Sequence, residues 1–421
     1  MIDPNCARSR ARARARVCVR VQVPGTLPDA EDQPVILGNH RDAWVYGAAD
    51  PNSGTANLLE VAKGLGVLLR SGWRPRRSIV LCSWSGEEYG LLGSTAWLET
   101  NMHKPALTRA LAYLNVDVGV SGPHFRAQGT PSLAAVLAGA LGAVPDPAMP
   151  GHTLAEHWDD GDLYALGSGS DYTAFIDHLG IPSLDLAFSP HDPKGDIIAY
   201  GVYHSTFDSF EWMDSVGDPG FVYHVAMARV WGLVTMRLAG TASSVRELTP
   251  TGDDATPRAT LAHATPLPLP LNFSLQAAAI GGYIADAKAR TNGTAHVDYT
   301  ALDAAHAQFA AAADKAMREH ARAMRTTDAD ADTTDHARAV ASLDERLAYT
   351  ERKFLTPDGL PGRKYFKHAL QAPGLYTGYA PKTLPGVYDA VTKADWPTAN
   401  AQAAVAAAAI AAAAKYLGGD A

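Results

Sequence analysis

Short apolar runs and longer segments with helical spacing alternate along the first half of the chain. The apolar runs, which are typical of buried strands, cover residues 17–23, 34–39, 78–84, 111–118 and 182–188. Segments with helical spacing lie at residues 53–72, 93–102, 132–144 and 170–180. In the first of these segments the predicted apolar face comprises Leu58, Leu59, Val61, Leu65 and Leu68. This alternation predicts an α/β domain with a mostly parallel central sheet and helices on both faces.

The pattern changes near residue 240. Residues 241–265 are rich in Thr, Pro and Ala, which is typical of a linker. Beyond them, alanine-rich segments carry Leu, Ile, Phe and Tyr at helical spacings over residues 273–292, 298–325, 335–354 and 398–417. We therefore predict an α/β domain over residues 17–240 and an α-helical bundle over residues 266–421, with one long ordered loop before the last helix.

Composition excludes several classes of protein. A hydrophobic content of 47% over 421 residues is enough for more than one core. The formal net charge of −8 argues against a nucleic-acid partner. Three cysteines, Cys6, Cys18 and Cys82, cannot build a disulfide framework, so they do not indicate a compartment. No uninterrupted apolar run reaches the ~18–20 residues that a membrane span requires, so we predict no membrane segment.

Polar clusters follow three of the predicted strands. They are the stretches NHRD at 39–42, SGEE at 85–88 and NVD at 115–117. Ligands of open parallel sheets bind beyond the carboxyl ends of the strands, so these clusters are expected to meet at one edge. If the first strand continues past His40, Asp42 shares its face and is expected to orient the imidazole.

Taken singly, each candidate residue also has an ordinary structural interpretation. Adjacent glutamates such as Glu87 and Glu88 are common on exposed loops. Asp50 precedes a predicted helix, where an aspartate often caps the helix or closes a turn. A single histidine in a loop, such as His204, more often has a structural role than a metal-binding one. The convergence of several such residues favours the functional interpretation.

A metal-binding set emerges when these residues are combined. Two imidazoles and three carboxylates suit a pair of zinc ions, and the candidate ligands are His40, Asp50, Glu88, Asp117 and His204. Divalent ions ~3.5–4 Å apart, bridged by a carboxylate and a water, form a hydrolytic centre. A separate base must move the proton of that water to the leaving amine. Glu87 and Glu88 are expected to divide these tasks, because consecutive side chains of an extended segment diverge.

The same stretches resemble the M28 family of zinc peptidases. The resemblance rests on residues 35–66, 72–99, 112–117, 166–183 and 203–209, and it is most specific to the branch of the glutamate carboxypeptidases and transferrin receptors. The stretches LPLNF, GLPGRKYFKHALQAP and LPGVYDAV resemble the helical dimerisation domain of that branch. The resemblance therefore implies a zinc exopeptidase fold followed by a dimerisation domain, and a homodimer acting on peptides.

The resemblance also implies a role for each candidate ligand. His40 and Asp117 correspond to the ligands of one zinc ion, and Glu88 and His204 to those of the other. Asp50 corresponds to the residue that bridges the two ions. Glu87, which precedes Glu88, corresponds to the general base.

Further residues correspond to the family's substrate-binding groups. Tyr203 aligns with a tyrosine that stabilises the oxyanion of the tetrahedral intermediate. Gly169 and Ser170 align with residues lining the substrate cleft. Tyr379 aligns with a tyrosine that contacts the carboxylate of the terminal residue.

The chain departs from the glutamate carboxypeptidases where they recognise acidic substrates. Asp185 and Ala187 occupy positions at which those enzymes carry arginines, and Gly378 replaces a pocket lysine. A pocket that lacks these cations loses its preference for carboxylates. We therefore expect no strong preference for C-terminal glutamate.

The beginning of the chain departs from the family pattern as well. Family members carry an early peptidase segment and an apical domain before the first strand found here. Residues 1–16 are instead Arg-rich, and we expect them to be a tail on an N-terminally shortened family member. Two functions follow from these expectations: a dizinc aminopeptidase or carboxypeptidase, and a dimeric receptor-like scaffold that has lost the chemistry. The complete ligand set favours the enzyme.

Overall fold

The structure is a computed structural model that describes residues 18–158, 163–190, 200–240, 267–291, 296–325, 333–376 and 378–419. The predicted Arg-rich tail at 1–16 and the predicted linker at 241–265 lie outside these residues.

A six-stranded sheet forms the centre of the first domain. Its strands are β1 (Cys18–Val23), β2 (Val35–His40), β3 (Ile79–Trp84), β4 (Ala112–Asn115), β5 (His124–Gly129) and β6 (Ser183–Ser189), in the order β1-β3-β2-β4-β6-β5. The four inner strands are mutually parallel, and the edge strands β1 and β5 are antiparallel to their neighbours. This confirms the mostly parallel sheet. The sequence HFRAQG of β5 has too little apolar alternation to be predicted as a strand.

Both faces of the sheet are covered. Leu37 and Leu81 belong to one buried cluster, whereas their strand neighbours Ile36 and Val80 belong to another. Because successive side chains of a strand point to opposite faces, these two clusters are the cores on the two sides of the sheet. The central strand β2 is buried along its whole length, as parallel strands between helical layers usually are.

The helices of this domain are α1 (Asn52–Arg70), α2 (Leu92–Asn101), α3 (Pro105–Thr108), α4 (Ala134–Leu141), α5 (Phe210–Trp212) and α6 (Val222–Ala239). Leu58 and Leu65 of α1 are buried as predicted, but Leu59 is 64% exposed. Adjacent positions of a helix lie about 100° apart, so Leu58 and Leu59 do not share the buried face. Helix α6 was not predicted, and it packs against α1 and α4 through residues such as Val230 and Trp231.

The second half of the chain is a helical bundle. It contains α7 (Phe273–Arg290), α8 (Thr300–Arg325), α9 (Thr333–Tyr349), α10 (Pro385–Thr392) and α11 (Trp396–Gly418). The third predicted segment ends early, at Tyr349, because residues Glu351–Phe354 form a 3-10 turn. The long loop predicted before the last helix contains a small ribbon of β7 (Gln371–Pro373) and β8 (Pro381–Thr383), and then α10.

A buried ion pair joins the two halves. Arg77, just before β3, donates to Asp344 of α9 at 2.8 Å, and both side chains are almost fully buried. The other carboxylate oxygen of Asp344 accepts the backbone N–H of Leu269 at 2.6 Å. The cluster on the α1 face of the sheet also continues into α7, α8 and α11. The helical bundle is therefore packed directly on the α/β domain.

Among the described residues, one helix is long and apolar enough to cross a membrane. It is α11, Trp396–Gly418, and half of its apolar window is buried in the protein. Its closest packing partner is α8. A core helix of a globular bundle has the same features, so this helix is weak evidence for a membrane span.

Candidate metal centre

The strand ends bring the predicted ligands together. His40 is the last residue of β2 and lies in register with Trp84, the last residue of β3. Glu87 and Glu88 follow β3 in a turn, and Asp117 follows the end of β4. Because β2, β3 and β4 are parallel neighbours, these residues meet at the carboxyl edge of the sheet.

Two histidines contact three carboxylates at this edge. His40 Nε2 lies 2.8 Å from Asp117 Oδ1 and 3.2 Å from Asp50 Oδ1. His204 Nε2 lies 3.2 Å from Asp50 Oδ2 and 3.1 Å from Glu88 Oε2. The side chains thus form two groups that could each hold a metal ion, with Asp50 common to both.

Unpaired buried oxygens support a cation at this place. Asp50 Oδ1 and Glu88 Oε1 are buried and have no hydrogen-bond partner. The 3.2 Å contact of Asp50 Oδ1 with His40 is close but is not aligned as a hydrogen bond. Burying such oxygens without a partner is costly, and a bound cation would remove that cost. Since the donors are imidazole nitrogens and carboxylate oxygens, the residues fit a zinc-like divalent ion.

The electrostatics of the cluster lead to the same conclusion. Burial raises the pKa of Glu87 to about 10 and that of Glu88 to about 8, with the carboxylates of Asp117 and Asp50 adding to the two shifts respectively. Burial lowers the pKa of His40, but the Asp117 carboxylate more than offsets this and the net pKa is well above its usual value. Crowded buried carboxyl groups thus resist ionisation in the protein alone, and a bound cation would stabilise their charged forms.

The two glutamates lie in a turn and not in an extended segment, contrary to the prediction. The carbonyl of Glu87 accepts the N–H groups of Gly90 at 2.8 Å and Leu91 at 2.9 Å, just before α2 begins. Their carboxylates nevertheless diverge. Glu88 reaches His204, whereas Glu87 Oε2 lies 4.0 Å from His40 Nε2 and belongs to neither candidate metal group.

Asp42 contacts His40 through its backbone carbonyl and not through a carboxylate on a shared strand face. Strand β2 ends at His40, so the expected shared strand face does not exist. His40 Nδ1 lies 2.9 Å from the backbone carbonyl of Asp42 and 3.8 Å from its carboxylate. That carboxylate instead accepts the backbone N–H groups of Glu87 at 3.2 Å and Glu88 at 3.3 Å. Asp42 therefore connects the His40 loop to the glutamate turn.

Asp208 is a residue of this site that sequence reasoning did not identify. Its carboxylate is buried and accepts the N–H groups of Ala49 at 2.7 Å and Asp50 at 3.1 Å, and the hydroxyl of Tyr200 at 2.9 Å. It thereby fixes the loop that carries Asp50. Asp50 precedes the N-cap residue of α1, Pro51, and makes no helix-capping hydrogen bond. The only sequence signal for Asp208 was its place four residues after His204.

Tyr203 and His204 form a constrained pair. Their rings stack with centroids 3.6 Å apart, and His204 has a φ of 54°, in the left-handed region. A non-glycine residue persists there only when its surroundings hold it, and such residues cluster at functional sites. Burial, together with the nearby Asp50 carboxylate, raises the pKa of Tyr203, so its hydroxyl stays protonated and able to donate.

The three predicted cleft residues lie close together but differ in exposure. The ring of Tyr379, which is 54% exposed, lies against Gly169: a Cβ atom placed there would be 3.6 Å from Tyr379 Cδ1. Ser170 is only 2% exposed. Its hydroxyl accepts Asn115 Nδ2 at 3.0 Å. Burial raises the pKa of Asp117, but His40 and, to a smaller extent, Ser170 lower it more, so the net pKa is below its usual value. Ser170 thus supports a candidate ligand from within the protein.

Comparisons with known proteins identify the class. Residues 22–217 match the family model described as "Peptidase family M28", and residues 297–418 match the "Transferrin receptor-like dimerisation domain". The chain therefore carries a domain of peptidase family M28 followed by a transferrin receptor-like dimerisation domain, which confirms the family predicted from the sequence.

Two curated relatives show the branch more closely. The probable glutamate carboxypeptidase LAMP1 of Arabidopsis thaliana is 37% identical over 389 residues, which are 89% of this chain and 50% of that protein. The aminopeptidase NAALADL1 of Mus musculus is 35% identical over 381 residues, which are 86% of this chain and 46% of that protein. The chain thus spans about half the length of the curated relatives it matches.

Proposed function

We propose that this chain is a metallopeptidase whose centre holds two zinc ions and hydrolyses terminal peptide bonds of small peptides. The observation that carries the proposal is the shared position of Asp50, whose two carboxylate oxygens face His40 and His204 respectively. Asp117 completes the first group of ligands and Glu88 the second. When bound, the ions would supply an acidified water and would polarise the scissile carbonyl.

The residues around the centre have distinct tasks in this proposal. The carboxylate of Glu87 takes a proton from the attacking water and passes it to the nitrogen of the leaving amine, so that the peptide C–N bond breaks. Glu87 is free for this task because it belongs to neither ligand group. The hydroxyl of Tyr203 donates to the oxyanion of the tetrahedral intermediate. Asp42 and Asp208 hold the loops that carry Glu87 and Asp50.

The substrate preference differs from that of an enzyme specific for acidic peptides. The positions of the expected arginines carry Asp185 and Ala187, and Gly378 stands at the position of the lysine. We therefore propose no strong preference for C-terminal glutamate. Since the relatives are named both carboxypeptidase and aminopeptidase, both modes of attack belong in the test.

Metal analysis combined with a peptide panel tests this function. We expect about two zinc ions per purified chain, because each ligand group suits one ion. The chain should hydrolyse dipeptides, lose that activity on dialysis against a chelator, and regain it when zinc is restored. Elemental analysis and detection of the released amino acids provide the two readouts. A chain that binds no metal and hydrolyses nothing would instead support the receptor-like scaffold.

We also propose that the chain forms a homodimer through its helical domain. The support is the match of residues 297–418 to the transferrin receptor-like dimerisation domain. Size-exclusion chromatography with light scattering should give a mass near twice the 44.5 kDa of the chain. A single species of 44.5 kDa at micromolar concentration would contradict the dimer.

A further inference from the structure

A carboxylate beside the metal centre has no cationic partner. Asp185 lies on β6 in register with Asn115 of β4. Asn115 in turn precedes the candidate ligand Asp117 by two residues. Asp185 Oδ1 accepts the side-chain amide of Asn115 at 2.8 Å. Its other carboxylate oxygen has no hydrogen-bond partner among the described residues and is not one of their fully buried unpaired oxygens, and the residue as a whole is partly exposed. One oxygen is therefore fixed and the other is left for a ligand.

A buried relay of hydrogen bonds fixes the orientation of this carboxylate. The Asn115 side-chain oxygen accepts the hydroxyl of Tyr113 at 2.8 Å, and the Tyr113 hydroxyl accepts the indole N–H of Trp84 at 2.9 Å. Trp84, Tyr113 and Asn115 are fully buried. Asn115 also donates to Ser170 at 3.0 Å, and Ser170 is one of the groups that act on the candidate ligand Asp117. Asp185 is thus held by the same rigid network that supports the metal centre.

The charged groups that shift the pKa of Asp185 are both negative. Burial raises the pKa of its carboxyl group to about 8, and the carboxylates of Asp117 and Asp171 raise it further. Asp171 is fully buried, and neither of its carboxylate oxygens has a hydrogen-bond partner. Arg126 of β5 lies in register with Ala187, but it is engaged in another interaction and is not among the groups that act on Asp185. Among the described residues, the groups that act on Asp185 therefore include no positive charge.

Asp185 also lies within reach of a peptide bound at the metal centre. With a rise of about 3.3 Å per residue and a strand spacing of about 4.8 Å, the Cα atoms of Asp185 and Asp117 are roughly 8 Å apart. That distance is comparable to the length of two or three residues of extended peptide. A group on the residue next to the scissile bond can therefore approach Asp185 while the bond lies at the metal ligands.

We propose that Asp185 binds a cationic group of the peptide substrate. This inference rests on the proposed peptidase function and names the class of substrate: peptides with an ammonium or guanidinium group near the scissile bond. That group is either the free α-amino group of the terminal residue or the side chain of a lysine or arginine. A charge-assisted hydrogen bond to the accessible Asp185 oxygen supplies the recognition.

Three dipeptides and one isosteric variant test the inference. Leu-Ala carries a cation only at its α-amino group, N-acetyl-Lys-Ala only on its side chain, and N-acetyl-Leu-Ala carries none. The kcat/KM of the wild type should be about 10- to 100-fold higher for one of the two cationic peptides than for N-acetyl-Leu-Ala. Whichever peptide is preferred identifies the source of the cation. Asp185→Asn should abolish this ratio, because it keeps the acceptor for Asn115 and removes the charge.

The ratio of kcat/KM for the preferred cationic peptide to that for N-acetyl-Leu-Ala distinguishes recognition of the cation from a structural role of Asp185. A variant that only distorts the site lowers all three kcat/KM values together and leaves the ratio intact, which would overturn the inference. A wild type without any preference for a cationic peptide would overturn it as well. Asp303→Asn, on the exposed side of α8, is the matched control and should keep the wild-type ratio.

Failure of the proposed function has a different signature. If the zinc-loaded wild type hydrolyses none of the three peptides, the proposed peptidase function is wrong. A binding measurement then tests whether Asp185 binds a cationic group. Calorimetry with leucinamide and N-acetyl-lysinamide should then show at least one ligand that binds Asp185→Asn about tenfold or more weakly than the wild type. Equal affinities for both ligands would refute a cation site at Asp185.

Discussion

Replacing Glu87 by glutamine should lower kcat by about 10²- to 10⁴-fold, the usual contribution of a general base. Glutamine has nearly the same shape but cannot take a proton from water. Glu87 belongs to neither ligand group, so the variant should bind as much zinc as the wild type. The backbone N–H of residue 87 remains available to Asp42, so the turn should keep its geometry. Steady-state kinetics and elemental analysis of the same preparation measure the two effects.

Glu88→Gln is the matched control, because it makes the same chemical change one residue further on. Glu88 lies 3.1 Å from His204 and belongs to the second ligand group. This variant should therefore lose zinc as well as activity. If Glu87→Gln retains wild-type kcat, another group is the base; if it loses zinc, Glu87 is a ligand and the assignment of the two glutamates is reversed.

Much of the fold could be predicted because its signals are local. The inner strands are continuous apolar runs, and the long helices have a clear apolar period, so both are visible in short windows of sequence. Strand β5 and helix α6 were not predicted. The residues HFRAQG of β5 form a strand because they pair with β6, a contact between distant parts of the chain. The burial of α6 likewise depends on packing against α1 and α4.

The candidate centre was predicted by a rule that connects sequence to topology. Parallel strands end at one edge, so polar residues that follow them in sequence become neighbours in space. That rule found His40, Glu88 and Asp117, which the structure brings to one edge. It could not find the supporting role of Asp208, because this residue acts through hydrogen bonds to the backbone of a distant loop. The partners of such a carboxylate are set by tertiary structure alone.

The same limit explains why Asp42 was partly misjudged. Alternation along a strand predicts a shared face only while the strand lasts, and β2 ends at His40. The chain then turns, so that the carbonyl of Asp42 faces the imidazole and its carboxylate faces the next loop. A metal-binding histidine commonly has its second ring nitrogen held by a carbonyl or a carboxylate. Asp42 therefore contacts the second ring nitrogen of His40 as expected, but through its backbone carbonyl and not through its carboxylate.

Replacing Asp50 by asparagine should have the widest effect on the centre, because Asp50 alone belongs to both ligand groups. Asparagine has a single oxygen and no charge, so at least one group loses a ligand and both lose negative charge. Zinc content should fall from about two to one or fewer ions per chain, and kcat/KM should fall roughly 10³-fold or more. Elemental analysis and dipeptide hydrolysis measure both effects.

Asp117→Asn is the matched comparison for Asp50→Asn, because it removes a ligand that is not shared between the two groups. Asp117 lies 2.8 Å from His40 but belongs only to the first ligand group. Loss of the Asp117 carboxylate should weaken the binding of one ion. The site of Glu88 and His204 should stay occupied, because Asp50 remains available as a ligand there. If Asp50→Asn and Asp117→Asn lose the same single ion, Asp50 serves only the His40 site. If Asp50→Asn keeps both ions and full activity, Asp50 binds neither, and the hydrolytic centre cannot depend on a shared carboxylate.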